Sequence, residues 1–434
     1  MTHRIRSIAV WMICCYGAYG VAGPAFSSES QDQRINVLEQ KLDRSLKLIE
    51  ELSARVHAFE TQHSNTGEPA AAAENSPPVQ QRLDSVQQQL TQLEDSNASR
   101  GSGGGIPLHG FADIGIGNHT ADRPNFKGAN IGAVDIFLNP QLGEHTRALF
   151  ELTFEVDEHG AVQADLERAQ IGYQFSEAAT VWIGRFHTPF GYYNTAFHHG
   201  QEIATSLRRP RFLLFEDQGG VMPDHTVGAW LSGAEHLSTS KLTYDLFVGN
   251  GQALSSGTID QRNGGVDHGG AIYGGNLGYV FGDTLSGLKV GVSGFRAAVS
   301  DDRQPGRLTR VDNAGVYLAY DTDRFEHLAE YYRFSDHDLT YAGPAHHSSL
   351  GFLQLAWRLP LATPYLRYER ALLDQSDNFF ALQTNGMSYF RTAAGLRFDL
   401  DAWSALKFEL ARTKNTDRLI EQWSDVMLDY TIRF

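Results

Sequence analysis

The stretch VMLDYTIRF, residues 426–434, alternates apolar and polar side chains, with Met427 as the one apolar residue on the polar face. Its apolar face consists of Val426, Leu428, Tyr430, Ile432 and Phe434. A period of two indicates a β-strand with one apolar side. A strand that closes a transmembrane barrel needs this pattern, because lipid covers one face, water covers the other, and aromatic rings lie at the membrane interface. The stretch therefore predicts an all-β transmembrane barrel, with 426–434 as the strand that completes its assembly.

The first 25 residues have the composition of a secretory signal peptide. Arg4 and Arg6 precede an apolar run over residues 8–19, and small residues follow that run. The run is too short to span a bilayer, so it is not expected to remain as an anchor. We expect cleavage after Ala22 or Ala25.

The composition excludes several classes of protein. The whole chain carries a formal net charge of −15, and loss of Arg4 and Arg6 with the signal would leave −17. Such acidity argues against a nucleic-acid partner. No other segment has the roughly 18 consecutive apolar residues of a transmembrane helix. The mean hydropathy of −0.33 fits a barrel in which half of each strand faces water.

Residues 31–60 and 79–97 have the apolar spacing of a coiled coil. The apolar positions are Ile35, Leu38, Leu42, Ile49, Leu52, Val56, Leu83, Val86 and Leu90. Because so narrow an apolar stripe has no core within its own chain, we predict a self-associating stalk. A helical hairpin within one chain, with its bend in the linker 61–78, is the alternative. A Gly/Ser-rich hinge at 98–107 separates these segments from the barrel.

The region 108–434 divides into sixteen apparent strands of about 9 to 13 residues, the length that a tilted membrane strand needs. Their predicted bounds are 108–118, 128–138, 145–157, 163–175, 179–187, 226–233, 240–249, 269–281, 287–300, 309–322, 325–337, 346–359, 362–373, 387–400, 403–414 and 424–434. Short turns and long connections alternate between them, as they do at the two ends of a membrane barrel. The longest connection, 188–225, follows the fifth strand.

The strand over 145–157 shows how the two faces of the barrel are predicted. Phe150, Leu152 and Phe154 fall on one face, whereas Arg147 and Glu151 fall on the other. A charged side chain on the lipid face near the midplane costs about 2–4 kcal/mol for Arg or Lys, so the charged face is expected to point inward. The lumen is therefore predicted to be wet and to carry both signs of charge.

The run LERAQIGYQF…VWIGRFHTPFG, residues 166–191, resembles the phosphate-selective porin family of the porin O and P type. The resemblance covers about 106–434, and the coiled-coil extension resembles the periplasmic stalks of some substrate-specific porins. It implies a homotrimeric diffusion channel in lipid of the bacterial outer membrane, with the stalk in the periplasm. It also implies that 188–225, the third external loop, folds inward and narrows the pore. The strand 426–434 resembles the assembly signal of outer-membrane proteins.

The sequence LRRPR, residues 207–211, is the densest basic patch of the barrel. Arg208, Arg209 and Arg211 could bind anionic solutes through their guanidinium groups. They could instead pair with Glu216 and Asp217 nearby and hold the loop in place. Both interpretations leave these five residues, together with Arg147 and Glu151, as candidates for the pore constriction.

No catalytic or cofactor site is predicted. A Ser–His constellation for nucleophilic catalysis is not evident, and the two cysteines, Cys14 and Cys15, lie within the predicted signal. The predicted function is passive diffusion of small hydrophilic solutes, including anions such as phosphate or organic acids. The alternative hypothesis is a structural anchor, whose coiled coil tethers the outer membrane to peptidoglycan; a helix of about 30 residues extends about 45 Å.

Overall fold

The computed structural model describes residues 108–118, 128–140, 142–156, 161–197, 202–260, 270–417 and 421–434. The predicted signal peptide, both coiled-coil segments, the linker and the hinge lie outside these residues.

The described residues form eighteen strands and two short helices. The strands are β1 (Leu108–Gly117), β2 (Gly128–Leu138), β3 (Thr146–Val156), β4 (Val162–Ser176), β5 (Ala179–His187), β6 (His225–Leu237), β7 (Ser240–Asn250), β8 (Gln252–Ser255), β9 (Thr258–Ile259), β10 (Ala271–Val280), β11 (Leu288–Asp301), β12 (Leu308–Asp321), β13 (Phe325–Asp338), β14 (His346–Trp357), β15 (Thr363–Leu372), β16 (Tyr389–Asp399), β17 (Ser404–Asn415) and β18 (Gln422–Arg433). The helices are α1 (Tyr193–Ala196) and α2 (Asn378–Ala381), and single 3-10 turns lie at Arg211–Leu213, Glu216–Gln218 and Asp283–Leu285. None of the helices among the described residues has the length and hydropathy that crossing a bilayer requires.

Sixteen of the strands form a closed antiparallel barrel, which confirms the predicted fold class and strand number. The strand β7 pairs directly with β10, and β1 pairs with β18 to close the ring. Phe434 exchanges two backbone hydrogen bonds of 2.9 Å with Gly110, so the final residue is fixed to β1. A Cβ atom on Gly110 would lie 2.4 Å from the ring of Phe434. This close approach explains the glycine.

The two faces of β18 alternate as the sequence predicts. Val426 and Leu428 expose 38% and 40% of their surface on the outside of the barrel, whereas Asp429 and Thr431 expose 4% and 0% on the inside. The same division holds on β3, where Leu152 is exposed on the outside. An apolar outer surface around a polar inner wall is the arrangement that a bilayer requires of a barrel.

The connections define two ends of the barrel. The short-turn end carries the connections 139–145, 177–178, 238–239, 281–287, 322–324, 358–362 and 400–403. The long-loop end carries the connections 118–127, 157–161, 188–224, 251–270, 302–307, 339–345, 373–388 and 416–421. Within 251–270, β8 and β9 form a hairpin that the sequence did not predict, and β8 pairs in parallel with the end of β11.

One side of the barrel interior is filled by apolar side chains. Phe190, Phe212 and Met222, all from the connection 188–224, are almost completely buried against inward-facing residues of the wall. The ring of Phe190 lies 5.8 Å from that of Tyr332, and the ring of Phe212 lies 6.2 Å from that of Phe352. The lumen, which the sequence predicts to be wet, is filled by apolar side chains on this side, because the connection folds back and packs on the wall.

Candidate functional site

The candidate site is built around the inner loop, which we define as residues 188–224, of which 188–197 and 202–224 are described. It begins with a tight anchor on the barrel wall. The carboxylate Oε1 of Glu330 accepts hydrogen bonds from the backbone N–H groups of Tyr192 and Tyr193 at 2.6 and 2.7 Å. Asn276 donates its side-chain amide to the carbonyl of Gly191 at 2.9 Å.

Gly191 is required by this anchor. Its φ of +64° is left-handed, and a Cβ atom would lie 1.9 Å from the hydroxyl of Tyr332. That hydroxyl donates to Glu330 at 2.7 Å and so completes the same carboxylate site. A side chain at position 191 would displace both the loop and its wall contact.

The middle of the inner loop lies on β15 and β17, where buried charged side chains bind its backbone. The guanidinium of Arg367 donates to the carbonyls of Arg208 and Arg209 at 2.6 and 3.2 Å. The carboxylate of Glu369 accepts from the backbone N–H of Arg211 at 2.7 Å. Lys407 donates to two further loop carbonyls. Side chains of the wall thus bind the loop through the loop's own main-chain carbonyl and N–H groups.

The wall charges also neutralise one another. Arg391 lies at 3.6 Å from Glu369, 3.4 Å from Glu409 and 3.0 Å from Asp425. Arg367 lies at 2.9 Å from Glu369. All five side chains are at most 5% exposed. Charges that are this deeply buried are tolerated only when they are paired and hydrogen-bonded, so each member depends on the others.

Arg209 is held within the loop itself. Its guanidinium donates to the carbonyls of Leu213 and Phe197, and to the side-chain oxygen of Asn194 at 3.0 Å. It also lies over the ring of Phe215, at 4.1 Å from the centroid. The side chain is 8% exposed, and its contacts tie one part of the loop to another.

Arg211 reaches the wall instead. Its guanidinium donates to the side-chain oxygens of Asn415 and Asn385 at 3.0 and 3.3 Å. It lies between the rings of Tyr389 and Trp423, at 4.8 and 5.4 Å from their centroids. Only 5% of its surface is exposed. The geometry favours the anchoring interpretation for this arginine, with amide and aromatic partners instead of the acidic ones that the sequence suggested.

Glu216 also anchors the loop. It accepts hydrogen bonds from the backbone N–H and from Nδ1 of His225, both at 2.9 Å. On its other side, the Nε2 atom of His225 lies 3.0 Å from Glu167 of β4. Burial alone would raise the pKa of Glu216, but the neighbouring His225 holds that pKa below its ordinary value. The side chain of Asp217 lies outside the described part of the chain.

Arg208 differs from the other loop arginines because it is only half-buried. Its backbone N–H donates to Glu409 at 3.4 Å, and its Nε contacts the sulfur of Met427 at 3.5 Å. Its charge acts on the carboxyl groups of Asp113 and Asp429 of the wall. Asp429 is 4% exposed, and neither of its carboxyl oxygens has a hydrogen-bond partner among the described residues.

Arg147 and Glu151 lie on the inner face of β3, away from the arginines of the loop. Arg147 donates to the side-chain oxygen of Gln174 at 3.0 Å. Glu151 is fully buried and pairs with Arg168. The seven predicted constriction residues therefore do not form one cluster. The six whose side chains are described divide into loop anchors, one member of a wall ion pair (Glu151), and two arginines that are partly exposed inside the barrel, Arg208 and Arg147.

The wall residues Arg367, Glu369 and Glu330 complete the site, but the sequence analysis did not single them out. Each lies on the inward-facing parity of a predicted strand, next to at least one apolar neighbour of the opposite parity. That parity was the available signal. It identifies an inward-facing charge, but it does not show that the partner is a loop more than a hundred residues away in sequence.

No family model matches this chain, and no curated protein matches it in sequence. Solved structures do share its fold. The anion-selective porin from Comamonas acidovorans aligns with a TM-score of 0.51 at 14% identity, over 76% of this chain and 98% of that chain. OmpF of Salmonella typhi in complex with daunomycin has a TM-score of 0.48 at 12% identity, over 75% and 97% of the two chains. The outer membrane channel DcaP of Acinetobacter baumannii has a TM-score of 0.46 at 11% identity, over 76% and 97%.

At such low identity, the alignment to the Comamonas acidovorans protein shows a shared barrel fold. The inner loop and its contacts with the wall are features of this chain's own structure.

Proposed function

We propose that this protein is a porin, a channel for passive diffusion of small hydrophilic solutes across the bacterial outer membrane. The observation that carries the proposal is the inner loop, which buried wall charges fix inside a closed barrel. A loop fixed in this way narrows a channel without needing to move. The side of the interior that β1, β3 and β4 line keeps partly exposed charged residues, among them Asp113, Arg147, Glu155 and Asp165. We place the solute path along that side.

The proposed orientation follows from the two ends. The long-loop end would face the exterior and the short-turn end the periplasm, as in membrane barrels with short periplasmic turns. Phe434 and the start of β1 would then lie on the periplasmic side. The coiled-coil segments 31–60 and 79–97 would extend from there.

We further propose that anionic solutes, such as organic acids or phosphate, are preferred. Arg208 would contact them from the loop and Arg147 from the wall. Among the described residues, the Arg147 guanidinium donates hydrogen bonds to neutral groups, namely Gln174 and the carbonyls of Gly143 and Thr146. An uncompensated guanidinium attracts carboxylate and phosphate. The solved porin from Comamonas acidovorans, which shares the fold, is itself described as anion-selective.

A homotrimer is the proposed assembly. The outward faces of β1 to β4 carry only apolar, glycine and threonine side chains, such as Ile114, Ile131, Phe150 and Leu166. Such a face suits a contact between barrels as well as it suits lipid. The coiled-coil segments would join the same three chains below the membrane. Deleting 31–97 and measuring oligomer mass in mild detergent tests the stalk; trimers of unchanged heat stability would show that it is dispensable for assembly.

Swelling of liposomes that contain the full chain tests the channel itself. We expect swelling in neutral sugars, with a rate that falls steeply as sugar size increases, because diffusion through a fixed constriction is size-limited. Reversal potentials in a salt gradient test the anion preference separately. Swelling without anion preference would overturn only the solute class, whereas no swelling with a folded, inserted barrel would overturn the channel.

A further inference from the structure

The outer surface of β11 to β17 carries a row of arginines near the long-loop end. The row consists of Arg296, Arg333, Arg370 and Arg412, one on every second strand. All four side chains are exposed, while the residues beside them in sequence, such as Phe295 and Tyr332, are buried inside the barrel. The row therefore points away from the lumen and into the surroundings of the barrel.

The strand register places the row at a common level. On β12, Arg296 and Arg333 lie opposite Asp312 and Ala314, which are two residues apart. The same offset recurs along the row. On β14, Arg333 and Arg370 lie opposite Ser349 and Gly351, and on β16, Arg370 and Arg412 lie opposite Phe390 and Thr392. Barrel strands are tilted and staggered, so residues at equal height on successive strands are offset in register by a constant number of positions. The constant offset of two residues therefore indicates that the four arginines lie at one level.

Most of this positive charge is not neutralised by the protein. Arg296 pairs with Asp312. In the part of the chain that the structure describes, no ion pair includes Arg333, Arg370 or Arg412. Arg370 lies over the ring of Phe390, at 5.3 Å from the centroid. Three guanidinium groups thus remain for an external anion.

A groove lies on the outer face beside one member of the row, Arg370, which forms part of its lining. Its volume is about 620 Å³, and small residues at its floor, Ala329 and Gly351, make the depression. Its outward lining includes Val316, Leu318, Tyr331, Leu353, Tyr368 and Arg370. The first five of these side chains expose between 39% and 53% of their surface. An apolar groove that ends at a cationic rim matches the chemistry of a lipid, because the groove suits the acyl chain and the rim suits an anionic headgroup.

We infer that this surface binds a lipid whose headgroup carries more than one phosphate, in the membrane leaflet at the long-loop end. Arginine binds phosphate through paired N–H groups, and several arginines in a row favour several phosphates. Near the membrane interface an outward arginine costs far less free energy than it does at the membrane midplane. The proposal rests on insertion of the barrel in a membrane, as proposed above, but it does not require that the barrel conduct solutes.

A second copy of the chain fits this surface less well. The outward faces of β1 to β4, which we propose for the contact between subunits, offer no carboxylate to the arginine row. The phosphates of a lipid headgroup would supply the negative charge that the arginine row lacks, and the acyl chains of the same lipid would fill the apolar groove.

The test is binding of defined lipids to the full chain in detergent, followed by native mass spectrometry. The probes are lipid A with two phosphates, the same lipid without phosphates, and phosphatidylcholine. We expect lipid A to bind best, and the double variant Arg333→Gln with Arg370→Gln to weaken that binding about tenfold or more, as loss of charged hydrogen bonds implies. The double variant Arg324→Gln with Arg433→Gln, which removes the same charge at the short-turn end, should bind as the unaltered protein does.

Two further variants separate the headgroup from the groove. Arg333→Lys with Arg370→Lys should retain most of the binding, and Ala329→Phe, which fills the groove, should weaken it with the arginines intact. Equal binding of lipid A to the glutamine variant and to the unaltered protein would overturn the proposal, as would equal binding of the lipid without phosphates. A glutamine variant that changes the oligomer mass and leaves lipid binding unchanged would instead assign the face to contact between copies. If the glutamine variant fails to fold, the Ala329→Phe result decides.

Discussion

Arg208 and Arg211 stand three positions apart in the same basic stretch, yet they belong to different surfaces of the inner loop. Arg211 is 5% exposed, and amide oxygens and aromatic rings of the wall enclose its guanidinium. Arg208 is half-buried, and its charge opposes those of Asp113 on β1 and Asp429 on the neighbouring strand β18. Pro210 lies between them with an extended backbone, and a 3-10 turn begins at Arg211, so the two side chains point in different directions.

The difference between these two arginines shows that a dense run of basic residues in a sequence does not give the number of positive charges that face the lumen. The anchored side of the loop uses its arginines as large hydrogen-bonding groups that fix its position. The exposed side presents one arginine to the interior. Selectivity and loop anchoring can therefore be changed independently, and four single substitutions test that separation.

Arg391→Leu should have the largest effect, because it removes the charge that Glu369, Glu409 and Asp425 share. Loss of one partner in a buried ion network costs about 3–5 kcal/mol. We expect the free energy of unfolding of the barrel, measured by urea titration in lipid vesicles, to fall by that amount. Arg324→Leu in the exposed turn 322–324 is the control. An Arg391 variant as stable as the control would contradict the role that we give to the wall charges.

Arg211→Leu should have an intermediate effect. The side chains of Asn415 and Asn385 would lose their donor, which costs about 1–3 kcal/mol for buried polar groups. Because the wall still binds the backbone N–H of residue 211 through Glu369, the loop should stay in the barrel. Single-channel recordings should then show the original conductance with added current noise. A large increase in conductance would mean that this side chain alone holds the loop.

Arg208→Ala should change selectivity and leave stability nearly intact. Because the backbone of residue 208 keeps its contacts with Arg367 and Glu409, loss of this half-exposed side chain should change stability by no more than about 0.5 kcal/mol. The reversal potential in a salt gradient should shift toward cation preference, because Asp113 and Asp429 would lose the opposing charge. No shift in reversal potential would place Arg208 outside the solute path.

Arg147→Gln should shift the reversal potential in the same direction by a smaller amount. Its guanidinium lies near the start of β3, three strands from the Met427 contact of Arg208 on β18, and already donates to Gln174. Two arginines on the same path should give additive shifts in the double variant with Arg208→Ala, because distant sites act independently. A double variant that shifts no further than Arg208→Ala would remove Arg147 from the path.

The barrel could be predicted closely from the sequence because its signals are local. Alternating residues such as Leu428 and Asp429 define the two faces, and the bilayer sets the strand length. Alternation of long and short connections then fixed the count at sixteen. The hairpin of β8 and β9 was missed because strands of four and two residues carry too short a pattern.

The site could be predicted only in part. Arg211 and Asn415 are 204 residues apart, and no periodic pattern links them. The sequence identified the loop and its arginines, and it offered Glu216 as their partner. Glu216 binds His225 instead, whereas Asn194 and Asn415 bind the arginines, since the path of the loop decides which groups meet.

Modification of cysteines placed at 208 and 211 tests whether solutes pass along the exposed side of the anchored loop. In a chain whose Cys14 and Cys15 are replaced by serine, Arg208→Cys and Arg211→Cys would each be inserted in planar bilayers and exposed to a charged, thiol-specific methanethiosulfonate reagent. The account predicts that the current falls or changes selectivity for Arg208→Cys and stays constant for Arg211→Cys. Equal responses at both positions would contradict a solute path along the exposed side of an anchored loop. Absence of current from both variants and from the unaltered protein would contradict the channel itself.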